Sequence, residues 1–410
     1  MRSFYSSVLL FILSFSSVLS QEKAIPIEVK ISGFIRNDFI LDTRQVASAR
    51  EGQFLLYPRN VKLDPNGDDL NSRANFNYLA IISRTKITAN GPEIWGAKTT
   101  GVLEGDFFGQ QDSFISGYRL RNAIIKLTWN KWEVLTGRYW HPMFGVENYP
   151  KTVSFNTGVP FMWLSRNGQI RITRTLGKFK LLGAVVTQRD FASPGGPDAL
   201  RNSLLPDLQG RLSYYPSDDL LLGITAGYKR LMPRLETDSG YVTRSMVHGF
   251  TSNAFLKYSP EKFTLQLYGS LLQNGFDGLA LGGYAIRAIT NAEENQLDYM
   301  PVNVASLWAE IYTNSKPWEF GIFAGYTENL GTMQNAETLT GLGQFSRGHD
   351  ISYVYRLSPR MVYRNQNLQI GSELEYTTAA YGTAISTKLK PLNPETVSNL
   401  RVLVSVSYFY

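Results

Sequence analysis

Leu400-Arg401-Val402-Leu403-Val404-Ser405-Val406-Ser407-Tyr408-Phe409-Tyr410 is the stretch that decides the fold. Side chains alternate across a strand, so Leu400, Val402, Val404, Val406, Tyr408 and Tyr410 share one face. That face is wholly apolar and aromatic. The other carries Arg401, Leu403, Ser405, Ser407 and Phe409, and is mostly polar. At the edge of a soluble sheet such a segment invites aggregation. As the closing strand of a transmembrane β-barrel it sets its apolar face on lipid and an aromatic at the interface.

Working back from this segment, alternating stretches of about ten residues recur as far as Glu28, as barrel strands do. They predict strands near 28–43, 76–88, 97–108, 118–129, 131–139, 167–176, 178–189 and 207–215. Eight more follow near 220–231, 244–258, 262–274, 301–314, 317–329, 347–358, 361–377 and 397–410. The sum is sixteen, an even number, as bacterial barrels have. Short connections at Asn130, 176–178, 216–219, 259–261 and Ser315-Lys316 alternate with long ones at 44–75, 140–166, 190–206, 275–300, 330–346 and 378–396. Short periplasmic turns and long external loops give that alternation. The expected fold is an all-β, transmembrane antiparallel β-barrel of about 16 strands.

The faces of the first strands say what the barrel encloses. Glu28, Lys30, Ser32, Arg36 and Asp38 oppose Val29, Ile31, Ile35 and Phe39. Arg84, Lys86 and Thr88 oppose Ile81 and Ile87, and Lys98, Thr100, Glu104 and Asp106 oppose Leu103 and Phe107. A charge on the lipid face costs about 2–4 kcal/mol near the midplane, so these charges point into the lumen. A charged, wet lumen implies a pore. Small residues such as Ser32, Thr100, Thr225, Ser405 and Ser407 on the same side favour an opening.

Residues 1–20 read as a cleaved signal peptide: Arg2 is the only charge before Glu22, and an apolar run broken by serines spans Val8 to Leu19. The expected organisation is that leader followed by a single barrel over 21–410. The first eighteen-residue apolar run needed for a spanning helix does not occur beyond residue 21. There is no cysteine, which removes disulfides, thiol nucleophiles and thiolate metal sites. Aromatics make up 13%, with 23 Tyr and 23 Phe, and the formal charge of +7 becomes +6 without Arg2. So small a charge gives no footing for nucleic acid.

A run of blocks carries a resemblance. They are Ser83-Arg84-Thr85-Lys86, Val102 to Gly109, Tyr118-Arg119-Leu120-Arg121-Asn122-Ala123, Leu135 to Trp140, Thr152 to Asn156 and Gln169 to Thr173. Gly33 to Asp38 and Asp42-Thr43-Arg44-Gln45 precede them. Together these resemble the front half of the DcaP-like trimeric outer-membrane porins; the later half matches only in strand rhythm. The resemblance implies a homotrimer passing small, often anionic solutes. The chain departs from the family in lacking the amino-terminal coiled-coil segment that some members carry.

Loop 140–166 is dense in packing residues, including Trp140, Phe144, Tyr149, Phe155, Phe161 and Trp163. An inner wall would use those aromatics; open water would not. The loop is expected to fold inward and narrow the pore, the alternative being a cover over the mouth. The candidate path residues are Arg36, Arg84, Arg119, Arg121, Arg138 and Arg171, with Glu104 and Asp106. Rings of permanently charged guanidinium groups select anions. Alternatively, each arginine pairs with an acid such as Glu104 or Asp106 and stiffens the wall.

The three histidines, His141, His248 and His349, fall on or near different connections, and neither a Gly-x-Ser-x-Gly nor a His-Glu-x-x-His motif is present. Asp64, Asn66 and Asp68 resemble the start of a calcium loop but fail the EF-hand pattern, leaving at most a weak surface cation site. The expected function is a porin of the bacterial outer membrane, a passive channel for small hydrophilic solutes, anionic or neutral, with anion preference and no cofactor. The competing class is a closed barrel serving as an adhesin or surface enzyme.

Overall fold

The computed structural model describes residues 27–188 and 191–410, so the expected leader lies outside the described residues. The wall is one sheet whose segments, in chain order, are β1 (Glu28–Asp42), β2 (Asn75–Leu79), β3 (Arg84–Asn90), β4 (Lys98–Asp106), β5 (Arg119–Thr128) and β6 (Trp132–Trp140). Next come β7 (Arg166–Leu176), β8 (Phe179–Val186), β9 (Asp207–Ser217), β10 (Leu220–Leu231), β11 (Val247–Tyr258) and β12 (Phe263–Gln273). The last are β13 (Asn303–Thr313), β14 (Trp318–Gly331), β15 (Ile351–Asn365), β16 (Leu368–Ile385) and β17 (Pro391–Phe409). Each pairs antiparallel with its neighbour, and β1 closes the circle on β17, from Phe34 opposite Phe409 to Asp42 opposite Arg401. Closure leaves no open strand edge in the hydrocarbon region.

The count of sixteen holds because β2 and β3 are two halves of one wall strand. Both lie on β1, with Asp38 opposite Leu79 and Phe34 opposite Arg84. Between them the chain turns inward over 80–83, and Ile81 and Ile82 are buried in the core. The outward position expected for Ile81 is therefore corrected: the break removes it from the strand's alternation. In β17 the alternation is as expected. Arg401, Leu403, Ser405 and Ser407 are buried, while Leu400, Val404 and Tyr408 are exposed.

Two boundaries differ from expectation for one reason. The turn expected at 359–360 is at Gln366-Asn367, and the long loop expected at 378–396 shrinks to 386–390 because β16 and β17 continue their ladder to Ile385 opposite Pro391. Proline lacks an N–H and reads as a strand breaker. Pro359 pairs with Ile322 on β14, and the ladder to β16 passes over it. Pro394 lies where β17 pairs β16 alone, since β1 reaches only to Arg401. Both prolines thus sit where a donor is not required.

Long connections fill the loop end of the barrel. A hairpin, Val46–Ala49 with Phe54–Pro58, turns inward from the first of them. Arg356 on β15 donates to the carbonyls of Leu55 and Leu56, and Tyr381 on β16 donates to that of Pro58. A second hairpin, Gly282–Asn291 with Gln296–Pro301, occupies the connection after β12. Phe54, Phe108, Phe161, Leu164, Leu281 and Ile351 meet in one core inside the wall. Among the described residues no helix is long and apolar enough to cross a membrane.

Candidate functional site

Loop 141–165 crosses the lumen. Its spine is a stack: Trp140 lies on Phe144 with ring centroids 4.1 Å apart and planes at 12°, and Phe144 lies on Tyr149 at 5.4 Å and 26°. The rings cover one another's faces, so they stiffen the loop. Carboxylates of the far wall then hold the loop by its backbone donors. Glu310 on β13 accepts from the Lys151 amide at 2.9 Å, and Glu373 on β16 from the Ser154 amide at 2.8 Å. Glu375 accepts from the Asn156 side chain at 2.8 Å. Wall guanidinium groups hold its carbonyls: Arg36 reaches Val153 at 2.6 Å, Arg356 reaches Val159 at 3.0 Å, and Arg211 reaches Pro142. Charged partners make these the stronger kind of hydrogen bond.

Held against β9 to β16, the loop leaves a crevice on its other side. One cavity of about 610 Å³ lies between the loop and β1 and β3 to β5. Another of about 370 Å³ lies against β5 to β9 and reaches the short turn at Asn130 and Lys131. They adjoin, sharing Ile124, Lys126, Tyr139 and Val146. Twelve basic side chains line the pair against three acidic ones, Glu104, Glu133 and Glu147, and three of the bases, Arg36, Arg121 and Arg364, also pair with Asp38, Asp106 and Glu319 outside the lining. By contrast, three acids beneath the loop are matched with bases, Glu310 with Arg360, Glu319 with Arg360 and Arg364, and Glu375 with Arg356, while Glu373 bonds the Ser154 amide.

The expected path residues divide into three groups. Arg36, Arg84, Arg121, Arg171 and Glu104 line the cavities. Arg121 bridges two acids, its Nε 2.5 Å from Glu104 and its Nη1 2.6 Å from Asp106, and Arg84 lies 3.7 Å from Glu104. Arg119 and Asp106 pair at 2.7 Å under the Phe108 ring, buried outside both cavity linings. Arg138 lines neither cavity. Its register partner is Ala123, on the outward row of Ile125, and its Nε donates to the Arg121 carbonyl. Lys126, Lys131, Lys180, Arg211 and Arg364 also line the cavities and were not singled out from the sequence. Alternation along β9, where Arg211 and Ser213 share the inward row, carried the signal.

The histidines do not converge. His141 is buried against Asp207 at 3.2 Å, His248 sits on the outer face bonded to Tyr228, and His349 lies beside Asp350 in a loop. Asp64 accepts amides from Asn66 and Asp68, and the Asp68 and Asn66 bonds hold its carboxyl below the usual carboxylate range. Among the described residues no group of three or more His, Cys, Asp and Glu is placed to hold a metal ion.

The same wall is found in solved outer-membrane porins and channels. The chain is similar to the outer membrane channel DcaP of Acinetobacter baumannii, at 13% identity, covering 95% of this chain and 99% of that one, with a TM-score of 0.67. It is similar to an anion-selective porin from Comamonas acidovorans at 12% identity, covering 94% and 100%, with a TM-score of 0.55. OmpT of Vibrio cholerae, an outer membrane protein in a trimer form, aligns at 11% identity over 94% and 99%, also at 0.55. No family model and no curated protein matches the sequence.

Proposed function

We propose that the chain is an outer-membrane porin, exported by a cleaved leader at 1–20 and assembled as a homotrimer, that passes small hydrophilic solutes passively and prefers anions. The observation that carries this reading is the lining of the crevice, where twelve basic side chains outnumber three lining acids and the three further acids, Asp38, Asp106 and Glu319, that pair with them from outside it. In a narrow path with low-dielectric walls that excess is screened less than on an open surface, so it raises the local anion concentration. Arg36, Arg84, Arg121 and Arg171 belong to this path, with Lys126 where the two cavities meet. Likeness to porin structures supports the channel class, and the trimer form among them supports the assembly.

Nothing in this function calls for bond-making. Selectivity comes from width and wall charge. The test is conductance of the purified protein in planar bilayers across a tenfold salt gradient. A reversal potential on the anion-selective side supports the reading. Insertion as a folded barrel without ion current overturns the channel, and a cation-selective potential overturns the preference.

A further inference from the structure

On the outer face of β7 to β11 lies an apolar groove of about 680 Å³, walled by Ile170, Ile172, Val185, Leu208, Tyr228 and Phe250. Its floor is set by register. Gly183 faces Gly210, and Gly210 faces Ala226, so three adjacent strands present almost no side chain there. At the usual strand spacing that floor is about 10 Å across. The groove belongs to the half of the barrel nearer the long loops, since β10 and β11 meet their connecting loop at Leu231 and Val247.

Two basic residues stand at the loop end of this groove. Arg230 and His248 are direct register partners, and both lie outward because Lys229 and Val247 beside them point inward and are buried. Tyr228, a groove residue, bonds the His248 ring at 2.7 Å. Arg230 spends one nitrogen on the Ser203 carbonyl at 2.6 Å, while its Nε has no partner among the described residues. The next residue, Leu204, is 91% exposed. A hydrocarbon trench followed by a guanidinium and an imidazole is the order in which a bilayer runs from acyl chain to headgroup.

We propose that this groove binds an outer-leaflet phosphorylated glycolipid, one acyl chain lying over Gly183, Gly210 and Ala226 and a phosphate held by Arg230 and His248. Charge complementarity selects this occupant: a guanidinium and an imidazole at headgroup level suit a phosphate and give a neutral lipid nothing. The inference rests on the outer-membrane placement proposed above.

The test titrates the mature protein, purified in mild detergent, with diphosphoryl lipid A, dephosphorylated lipid A and phosphatidylethanolamine, read by native mass spectrometry. The diphosphoryl form is expected to bind at least tenfold more tightly than either the dephosphorylated one or phosphatidylethanolamine, and equal binding of phosphatidylethanolamine overturns the choice of a glycolipid. The double variant Arg230→Gln, His248→Gln loses that preference. Gly183→Leu fills the trench without disturbing the wall, because a Cβ at Gly183 meets nothing within 4 Å, and it weakens every acyl-bearing ligand. Equal binding of the two lipid A forms, or an unchanged preference in the double variant, overturns the proposal. Loss of oligomer mass in Gly183→Leu gives the groove to a second copy of the chain and also overturns it. Bilayer conductance of the same preparations reads the channel separately. The groove faces away from the lumen, so an absent current sinks the porin reading and leaves the lipid preference standing.

Discussion

The Ser154 amide and the Glu373 carboxylate are 219 residues apart in the chain and 2.8 Å apart across the lumen. A loop closing on itself could not fix its own distance from the opposite wall; this bond does. Glu373→Ala leaves a buried amide without an acceptor, at a cost of about 1–3 kcal/mol to loop docking. The wall ladder does not depend on it. Limited proteolysis should therefore cut within 141–165 while the barrel stays protected, and single-channel current should become noisier. Glu373→Gln keeps an oxygen acceptor and should restore most of the protection.

Selectivity should follow lightly tethered lysines more closely than the bridged arginines. Lys86 and Lys126 line the larger cavity, and Lys126 lies a loose 3.7 Å from Glu133. Replacing both by Gln removes charge and keeps length. The reversal potential in a salt gradient should move toward cation preference, with unchanged heat stability. Arg138→Ser should leave that potential where it was, because Arg138 is on the outward row. A shift in Arg138→Ser as large as in the lysine pair would reverse this placement.

Arg121 is a structural charge as much as a path charge. It is 2% exposed and spans Glu104 and Asp106. Removing one partner of a buried ion pair leaves the others uncompensated and costs about 3–5 kcal/mol. Arg121→Ala should lower the temperature at which the folded barrel unfolds in detergent, and Arg121→Lys should recover only part of it, since one ammonium cannot make the two-armed contact.

What the sequence made legible was whatever rests on alternation. β17 could be read residue by residue because one row is apolar and the other carries Arg401, Ser405 and Ser407. Alternation was mute on β6, where Glu133, Leu135 and Tyr139 form one row and Val134, Thr136 and Arg138 the other, both mixed. Hence the misplaced Arg138. The aromatics of loop 140–166 raised the expectation that it folds inward, yet the bonds that hold its backbone come from Glu310, Glu373 and Glu375, far off in the chain. The Val46–Pro58 hairpin went unread, although Phe54-Leu55-Leu56-Tyr57 is a conspicuous apolar run for a loop in water.

That hairpin yields the last prediction. Phe54 is 1% exposed and sits among Phe108 at 5.2 Å, Phe155 at 5.6 Å and Phe191 at 6.0 Å. It joins the first long connection to loop 141–165 and also lines the larger cavity, so it borders the path. The backbone of the hairpin is held from the wall, by Arg401 on the Gly52 carbonyl and by Arg356 on Leu55. Phe→Ala in a core costs about 3–5 kcal/mol. Here the loss falls on hairpin docking, because the wall pairs through its own backbone. Phe54→Ala should raise single-channel conductance and admit trypsin after Arg50, while the barrel's unfolding temperature in detergent stays unchanged. If conductance is unaltered while Arg50 becomes cleavable, the hairpin has loosened without governing passage.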